Sequence, residues 1–267
     1  MKKNAVMAAA AALIMALAFS ASAEAASVIM GGAYVNAAGR TAQPGPGAAA
    51  GTAQPEISYV PAGLPSDFDV PEGAAVFLIL EAGRQDTSGT LRMYLRQDAA
   101  GRADVWSLAL ETEARIGRNG LYKEKEGDSK TPVGLFKMNT PFGIGTAKEG
   151  FPSNYIRVDA GHYWNGDSES DRYNQLVSTG SYTAFRTSLS EHLADYAGYY
   201  EYCLDTGYNP EGTPYKGSAI FLHCIADTKP THGCIAIPTE EMEKVMKAYR
   251  EGQTWVAICD RDARQPA

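Results

Sequence analysis

Short runs of strand character, separated by turn residues, set the first constraint on this chain. Ala75-Val76-Phe77-Leu78-Ile79-Leu80 is a continuous apolar run, short enough for a strand covered on both faces. Thr90 to Arg96 alternates apolar and polar residues, the pattern of a half-buried strand. Between them, Gln85-Asp86-Thr87-Ser88-Gly89 supplies turn residues, so the two runs read as a hairpin. Val105 to Thr112 alternates as well, Ser218 to His223 is a further apolar strand, and Thr254 to Cys259 is the last. Helical signals are fewer. Tyr182 to Tyr196 has an amphipathic pattern. Thr239 to Arg250 has a clearer one, because Met242, Val245, Met246 and Tyr249 form one apolar stripe. Thr239 is its expected N-cap, with Glu240, Glu241 and Glu243 near the start and Lys247 and Arg250 near the end. The expected fold is mainly β with a few helices.

The N-terminus carries a processing signal. Lys2 and Lys3 precede the uncharged apolar stretch Ala5 to Phe19, and Ala21-Ser22-Ala23 is a small-residue cleavage site. Residues 1–23 therefore read as a secretory signal peptide. The apolar stretch is short and Ala-rich for a membrane span, and no cysteine near the cleavage site offers a lipid anchor. An exported protein with no stable membrane anchor after signal cleavage is expected, in the periplasm or in the cell wall and beyond. Residues 24–56 are rich in Ala, Gly and Pro and read as a flexible linker. The folded domain is expected over residues 57–262. The net charge of -7, without a basic patch, excludes a nucleic-acid partner.

Chemistry concentrates in Phe221 to Ile237, which holds two of the four histidines and two of the four cysteines, Cys203, Cys224, Cys234 and Cys259. His223 closes an apolar strand, a polar loop with a proline follows, and Cys234 sits after Gly233 and before another apolar run. A nucleophilic thiol needs a base, access to substrate and donors for the developing oxyanion. His223 is the candidate base for Cys234, and the Cys224 carbonyl is the candidate orienter of its second ring nitrogen. Gly233 permits close approach of backbone to substrate, with the Gly233 and Cys234 amides as candidate oxyanion donors. Two other readings stand beside this one. A buried cysteine is often a small apolar residue, and His223, Cys224, His232 and Cys234 are all zinc-ligand types. Export and an even cysteine count also raise the question of a disulfide. With Cys234 catalytic, at most two of Cys203, Cys224 and Cys259 can pair.

At these residues the chain resembles the L,D-transpeptidase catalytic domain, the YkuD-like family of peptidoglycan enzymes. Thr231-His232-Gly233-Cys234-Ile235 is similar to the family's Ser/Thr-His-Gly-Cys signature, with an upstream histidine. Gly117 to Gly120, followed by Lys125 to Gly134 and then Phe142-Gly143, resembles the segment ending in Lys-Thr-Pro-x-Gly before a strand. His162-Tyr163-Trp164, through Asp167 to Tyr173-Asn174, resembles one branch of the family. The resemblance spans about Val76 to Cys259. Two features depart from the best-known transpeptidases: the His-to-Cys spacing is shorter, as in that branch, and Ala236 stands where an arginine is often found.

The resemblance implies a mixed β-sandwich with the cysteine at its centre, no cofactor, no metal, and peptidoglycan stem peptides as partners in cell-wall biogenesis and cell shape. It implies that Cys234 attacks the carbonyl between an L- and a D-centre and that His223 protonates the leaving residue. Capture of the acyl-enzyme by a second stem's amine makes an L,D-transpeptidase, and capture by water makes an L,D-carboxypeptidase. A non-catalytic wall-binding or zinc-binding protein is the competing class. His232 lines the site or supports its loop. Trp164, Asp167 and Tyr173 are candidates to line a substrate groove, or else to pack a loop. Lys130, Thr131 and Gly134 read as a turn entering a strand. His162 and His192 read as surface or satisfied core histidines.

Overall fold

The computed structural model describes residues 64–99 and 102–264, so the expected signal peptide, the whole expected linker and residues 57–63 of the expected domain lie outside the described residues. Thirteen strands and one α-helix are present among them. β1 (Val76–Ala82) and β2 (Ser88–Ala99) form the expected hairpin, and β3 (Arg102–Arg115) continues it antiparallel. β13 (Thr254–Asp260) runs parallel to β1 on its other side and pairs antiparallel with β4 (Gly134–Lys137). Beyond β3 the same sheet continues through β12 (Ile235–Ile237), β11 (Phe221–Cys224), β10 (Cys203–Asp205), β5 (Pro141–Gly143) and β6 (Ile156–Arg157). A separate three-stranded sheet, β7 (His162–Trp164) between β8 (Leu176–Ser178) and β9 (Glu191–His192), completes the set.

The ten-stranded sheet curls because its halves share a core. β1 and β11 are separated by three strands in the sheet order, which in a flat sheet would put them roughly 19 Å apart. Yet Leu78 and Leu80 of β1 and Leu222 and Cys224 of β11 belong to one buried cluster. The helix α1 (Thr239–Ala248) covers that cluster with Met242, Val245 and Met246. β1 is buried along its whole length because Phe77 and Ile79, on its other face, pack into a second cluster with Trp106 and Trp255. This accounts for its continuous apolar run. A third cluster, around Phe142, Trp164, Tyr200, Phe221 and Cys234, lies between the large sheet and the small one. Mainly β architecture is thus observed, and it is consistent with the expected sandwich.

Three local expectations change. Tyr182 to Tyr196 is not an α-helix but two 3-10 turns, Thr187–Leu189 and Leu193–Asp195, flanking β9. Tertiary bonds override the amphipathic pattern. The Arg186 amide and guanidinium both bind Asp167, and Glu191 and His192 pair with Trp164 and Tyr163 of β7. The N-cap of α1 is Pro238, with no side-chain cap bond, and Thr239 is the first helical residue. Its hydroxyl turns toward the Cys224 thiol instead. The helix ends at Ala248, where Arg250 Nη1 donates to the carbonyls of Lys247, Ala248 and Tyr249, satisfying the acceptors a helix end leaves open. Finally, β11 starts at Phe221, because Ala219 takes φ 55° and breaks the extended run.

Among the described residues no helix is long and apolar enough to cross a membrane. All four cysteines are free and buried. Cys203, Cys224 and Cys259 fall in three different clusters, and the question of a pair among them, left open by the sequence, finds none in the structure.

Candidate active site

The parallel pairing of β11 with β12 sets the site. Its register places Leu222 opposite Ile235 and His223 opposite Ala236. Extended by one step, it sets Cys234 beside Phe221, two residues before His223. Residues two apart on a strand share a face, so Cys234 and His223 emerge from the same side. Cys203, opposite His223 on β10, points to that side too. The other face carries Leu222, Cys224, Ile235 and Ile237 into the core under α1. This alternation separates the zinc-type residues: the Cys224 thiol points away from Cys234, and its Sγ lies 3.6 Å from the Tyr202 carbonyl. Among the described residues no three His, Cys, Asp or Glu side chains converge to hold a metal ion.

A web of backbone bonds holds the loop before Cys234. Thr231 accepts from the Arg118 amide at 2.9 Å and donates its own amide to Ile116 at 2.8 Å. The Thr231 hydroxyl donates to the Cys234 carbonyl at 2.6 Å and accepts the Gly233 N–H at 3.1 Å. The Gly233 amide is therefore engaged, a correction to its place as an oxyanion donor, and the Cys234 amide is the remaining candidate. Gly233 has φ +134°, and a Cβ there would lie 2.8 Å from the Lys130 carbonyl. Only glycine fits without a shift. Its carbonyl accepts a 2.9 Å bond from the Thr131 hydroxyl, which in turn accepts the Gly117 N–H at 2.9 Å. Thr131 is fully buried. It supports the site directly, beyond the turn role read from sequence. Gly134 does open β4 as expected.

The electrostatics describe a neutral resting pair. The Cys234 thiol is buried and pushed up to about 12, chiefly by desolvation and then by the Glu191 carboxylate. Burial pulls His223 down to about 4, although the carbonyls of Cys224 and Tyr199 favour its charged form. His223 Nδ1 lies 2.8 Å from the Cys224 carbonyl, the geometry proposed for an orienting carbonyl. Cys234 Sγ donates to the Ala219 carbonyl at 3.2 Å and accepts the Phe221 N–H at 3.3 Å. Backbone, rather than the imidazole, holds the thiol in this state.

Ala219 is itself fixed by Asn174. The Asn174 Oδ1 accepts from the Trp164 indole at 2.8 Å and from the Ala219 N–H at 3.0 Å. Its Nδ2 donates to the carbonyls of Tyr208 and Asn209. Trp164 is buried and stacks on Phe142 at 5.7 Å. Tyr173 is buried, with its hydroxyl bonded to Glu126 and accepting the Gly217 N–H at 3.2 Å. Asp167 is held by Arg186, which lowers its carboxyl to about 2. These three therefore do not line an open groove, as one reading had it. Trp164 packs in the cluster that holds Cys234, and Asp167 and Tyr173 are packed with their polar atoms on protein partners. His232 is exposed, and its base is pushed down by the surrounding protein and then by the Arg118 charge. His162 and His192 pair with Asp159 and Asp195.

Sequence reasoning did not single out Glu191, Tyr200 or Asn174, which surround the cluster that holds Cys234. Only Asn174 carried a signal, as the end of the third resembling stretch. A cleft of about 690 Å³, lined by Arg84, Arg118, Tyr122 and Lys130 among others, also went unread.

A family model described as the L,D-transpeptidase catalytic domain (YkuD) matches residues 86–258, close to the span of the resemblance. No curated protein matches the chain. Among solved structures, it is similar to the helical cell shape determining protein Pgp2 from Campylobacter jejuni, at 16% identity over 69% of this chain and 48% of that one, with a TM-score of 0.38. It is also similar to Bd1075 from Bdellovibrio bacteriovorus, at 17% identity over 68% of this chain and 48% of that one, with a TM-score of 0.35. The chain spans about half the length of these proteins.

Proposed function

This chain belongs to the L,D-transpeptidase catalytic-domain family, and from that premise we propose that it is an exported peptidoglycan L,D-transpeptidase working through an acyl-enzyme on Cys234. The observation that carries the reading is the common face of Cys234 and His223 on the β11–β12 pair, with the Gly233 turn locked beside them. In the resting site both groups are neutral. Binding of a stem peptide lets the thiol leave the Ala219 carbonyl and pass its proton to His223, which the Cys224 carbonyl holds in place. The thiolate attacks the carbonyl between an L- and a D-centre, and the Cys234 amide serves the oxyanion. Collapse of the adduct expels the terminal D-residue, protonated by His223. An amine of a second stem then takes the acyl group, and water in its place gives a carboxypeptidase. The cleft with Arg84, Arg118 and Lys130 suits the carboxylates of a stem peptide.

The test is intact-mass analysis after incubation with a stem tetrapeptide or a carbapenem. The wild-type protein should gain one acyl mass, and Cys234→Ala should gain none. Undiminished labelling of that variant would overturn the assignment. Product analysis then separates dimer, made by transfer, from tripeptide, made by hydrolysis.

A further inference from the structure

One carboxyl in the layer facing Cys234 has no part in that mechanism. Glu191 lies on β9, paired with Trp164 of β7, within reach of the cluster that holds Cys234, Phe221 and Tyr200. The Tyr200 hydroxyl donates to Glu191 Oε2 at 2.7 Å. The Tyr200 ring stands edge-on to the His223 ring at 5.4 Å and is stacked on Tyr196 at 4.6 Å. Glu191 and Tyr196 are both partly exposed as residues, while the Glu191 carboxyl itself is turned inward onto the Tyr200 hydroxyl.

No lysine, arginine or histidine pairs with Glu191 among the described residues, and its neighbour His192 is taken by Asp195 at 2.9 Å. Burial raises the carboxyl to about 7, and its charge opposes both the Cys234 thiolate and the Tyr196 phenolate. A carboxylate enclosed without a cation is costly. Set at the Tyr200 hydroxyl, next to the partly exposed Tyr196 ring, it is complementary to an ammonium group.

We propose that Glu191, held by the Tyr200 hydroxyl beside the Tyr196 ring, is the ammonium subsite that receives the attacking amine opposite the acyl-Cys234. The proposal rests on the acyl-transfer reading above. The acceptor enters as R–NH3+ and pairs with the Glu191 carboxylate, which takes one proton and leaves R–NH2. The amine lone pair forms the C–N bond at the thioester carbonyl, and the C–S bond breaks. Cys234 departs as thiolate, the nitrogen's surplus proton passes to His223, and the imidazolium returns it to the thiolate. The subsite favours transfer over hydrolysis because water carries no charge for Glu191 to hold.

The experiment uses the full chain with a stem tetrapeptide bearing a free side-chain amine, and reads acyl-enzyme, dimer and tripeptide by mass. The wild type should make dimer. Glu191→Gln should still form the acyl-enzyme, and its dimer-to-tripeptide ratio should fall about tenfold, the effect of losing one charge-assisted contact. Hydroxylamine, uncharged at neutral pH, should capture the acyl group equally well in both proteins. An unchanged ratio, or equal loss of capture by hydroxylamine, overturns the subsite. Acyl-enzyme with no dimer from the wild type overturns the subsite alone. No acyl-enzyme from the wild type overturns the acyl-transfer reading with it. If Glu191→Gln does not fold, Tyr196→Leu at the partly exposed ring should lower the ratio about threefold, and an unchanged ratio there is equally fatal.

Discussion

The Thr131 hydroxyl donates a 2.9 Å hydrogen bond to the Gly233 carbonyl, joining loops 102 positions apart in the chain. The same oxygen accepts the Gly117 N–H. One buried side chain thus sets the height of the turn that presents Cys234.

Thr131→Val keeps the shape and removes both bonds. It leaves the Gly117 N–H and the Gly233 carbonyl without that partner in a buried place, at a cost of about 1–3 kcal/mol. Chemical denaturation should show that loss. Acyl-enzyme formation should slow more than folding alone explains, and Thr131→Ser should restore it. A Val variant with wild-type acylation would remove Thr131 from the site's support.

Gly233→Ala tests the turn itself. The backbone there sits at φ +134°, and the new Cβ would lie 2.8 Å from the Lys130 carbonyl and 2.9 Å from Ile220 Cδ1. Strain of about 1–3 kcal/mol is expected, seen as a lower melting temperature. Labelling of Cys234 should be lost, because relief of the clash moves the turn.

The neutral resting pair has a kinetic signature. With the Cys234 thiol at about 12 and His223 at about 4, the thiolate is a small fraction near neutrality and grows as pH rises. Alkylation of the free protein by iodoacetamide should be slow and climb roughly tenfold per pH unit well below the thiol's pKa. A preformed thiolate–imidazolium pair would instead give a flat profile over the neutral range.

Asp205 offers a stability test. Burial raises its carboxyl from 3.8 to about 7, while its Oδ1 accepts the Gly207 N–H at 3.1 Å. The folded state therefore keeps a proton that the unfolded chain loses as pH rises between these values. The group's contribution to stability falls across that window. Asp205→Asn cannot ionise, so its urea midpoint relative to wild type should improve as pH rises from about 4 to about 7 and then level off. A constant difference would show that Asp205 titrates normally. His223, lowered by burial, acts in the opposite sense: its stabilising effect is complete above 6.5 and is lost as pH falls toward about 4. It is common to both proteins and cancels in the comparison.

Where a short window of sequence contains its own physical cause, the reading held. β1, β2, β3 and β13 follow from apolar runs, alternation and the turn residues from Gln85 on, though Ser88 and Gly89 already belong to β2, and α1 follows from its apolar stripe. The segment from Tyr182 to Tyr196 failed because its pattern is outweighed by Asp167 and β7, which no local window contains. The thiol and the imidazole were legible as residue types at a suggestive spacing, and the family match over residues 86–258 supports their setting.

The sequence by itself determined the long strands β1, β2, β3 and β13, the helix near the C-terminus, the glycine before Cys234 and the candidate thiol and imidazole. These depend on periodicity and local chemistry. Tertiary structure alone decided that Thr131 lies under Gly233, that Cys224 turns away from Cys234, that Trp164 and Tyr173 are packed inside, and that Glu191 meets the Tyr200 hydroxyl beside His223. Pairing across a hundred residues and the removal of water from a charge are properties of the folded surroundings. They govern whether the Cys234 thiol and the His223 ring rest as neutral partners or as ions.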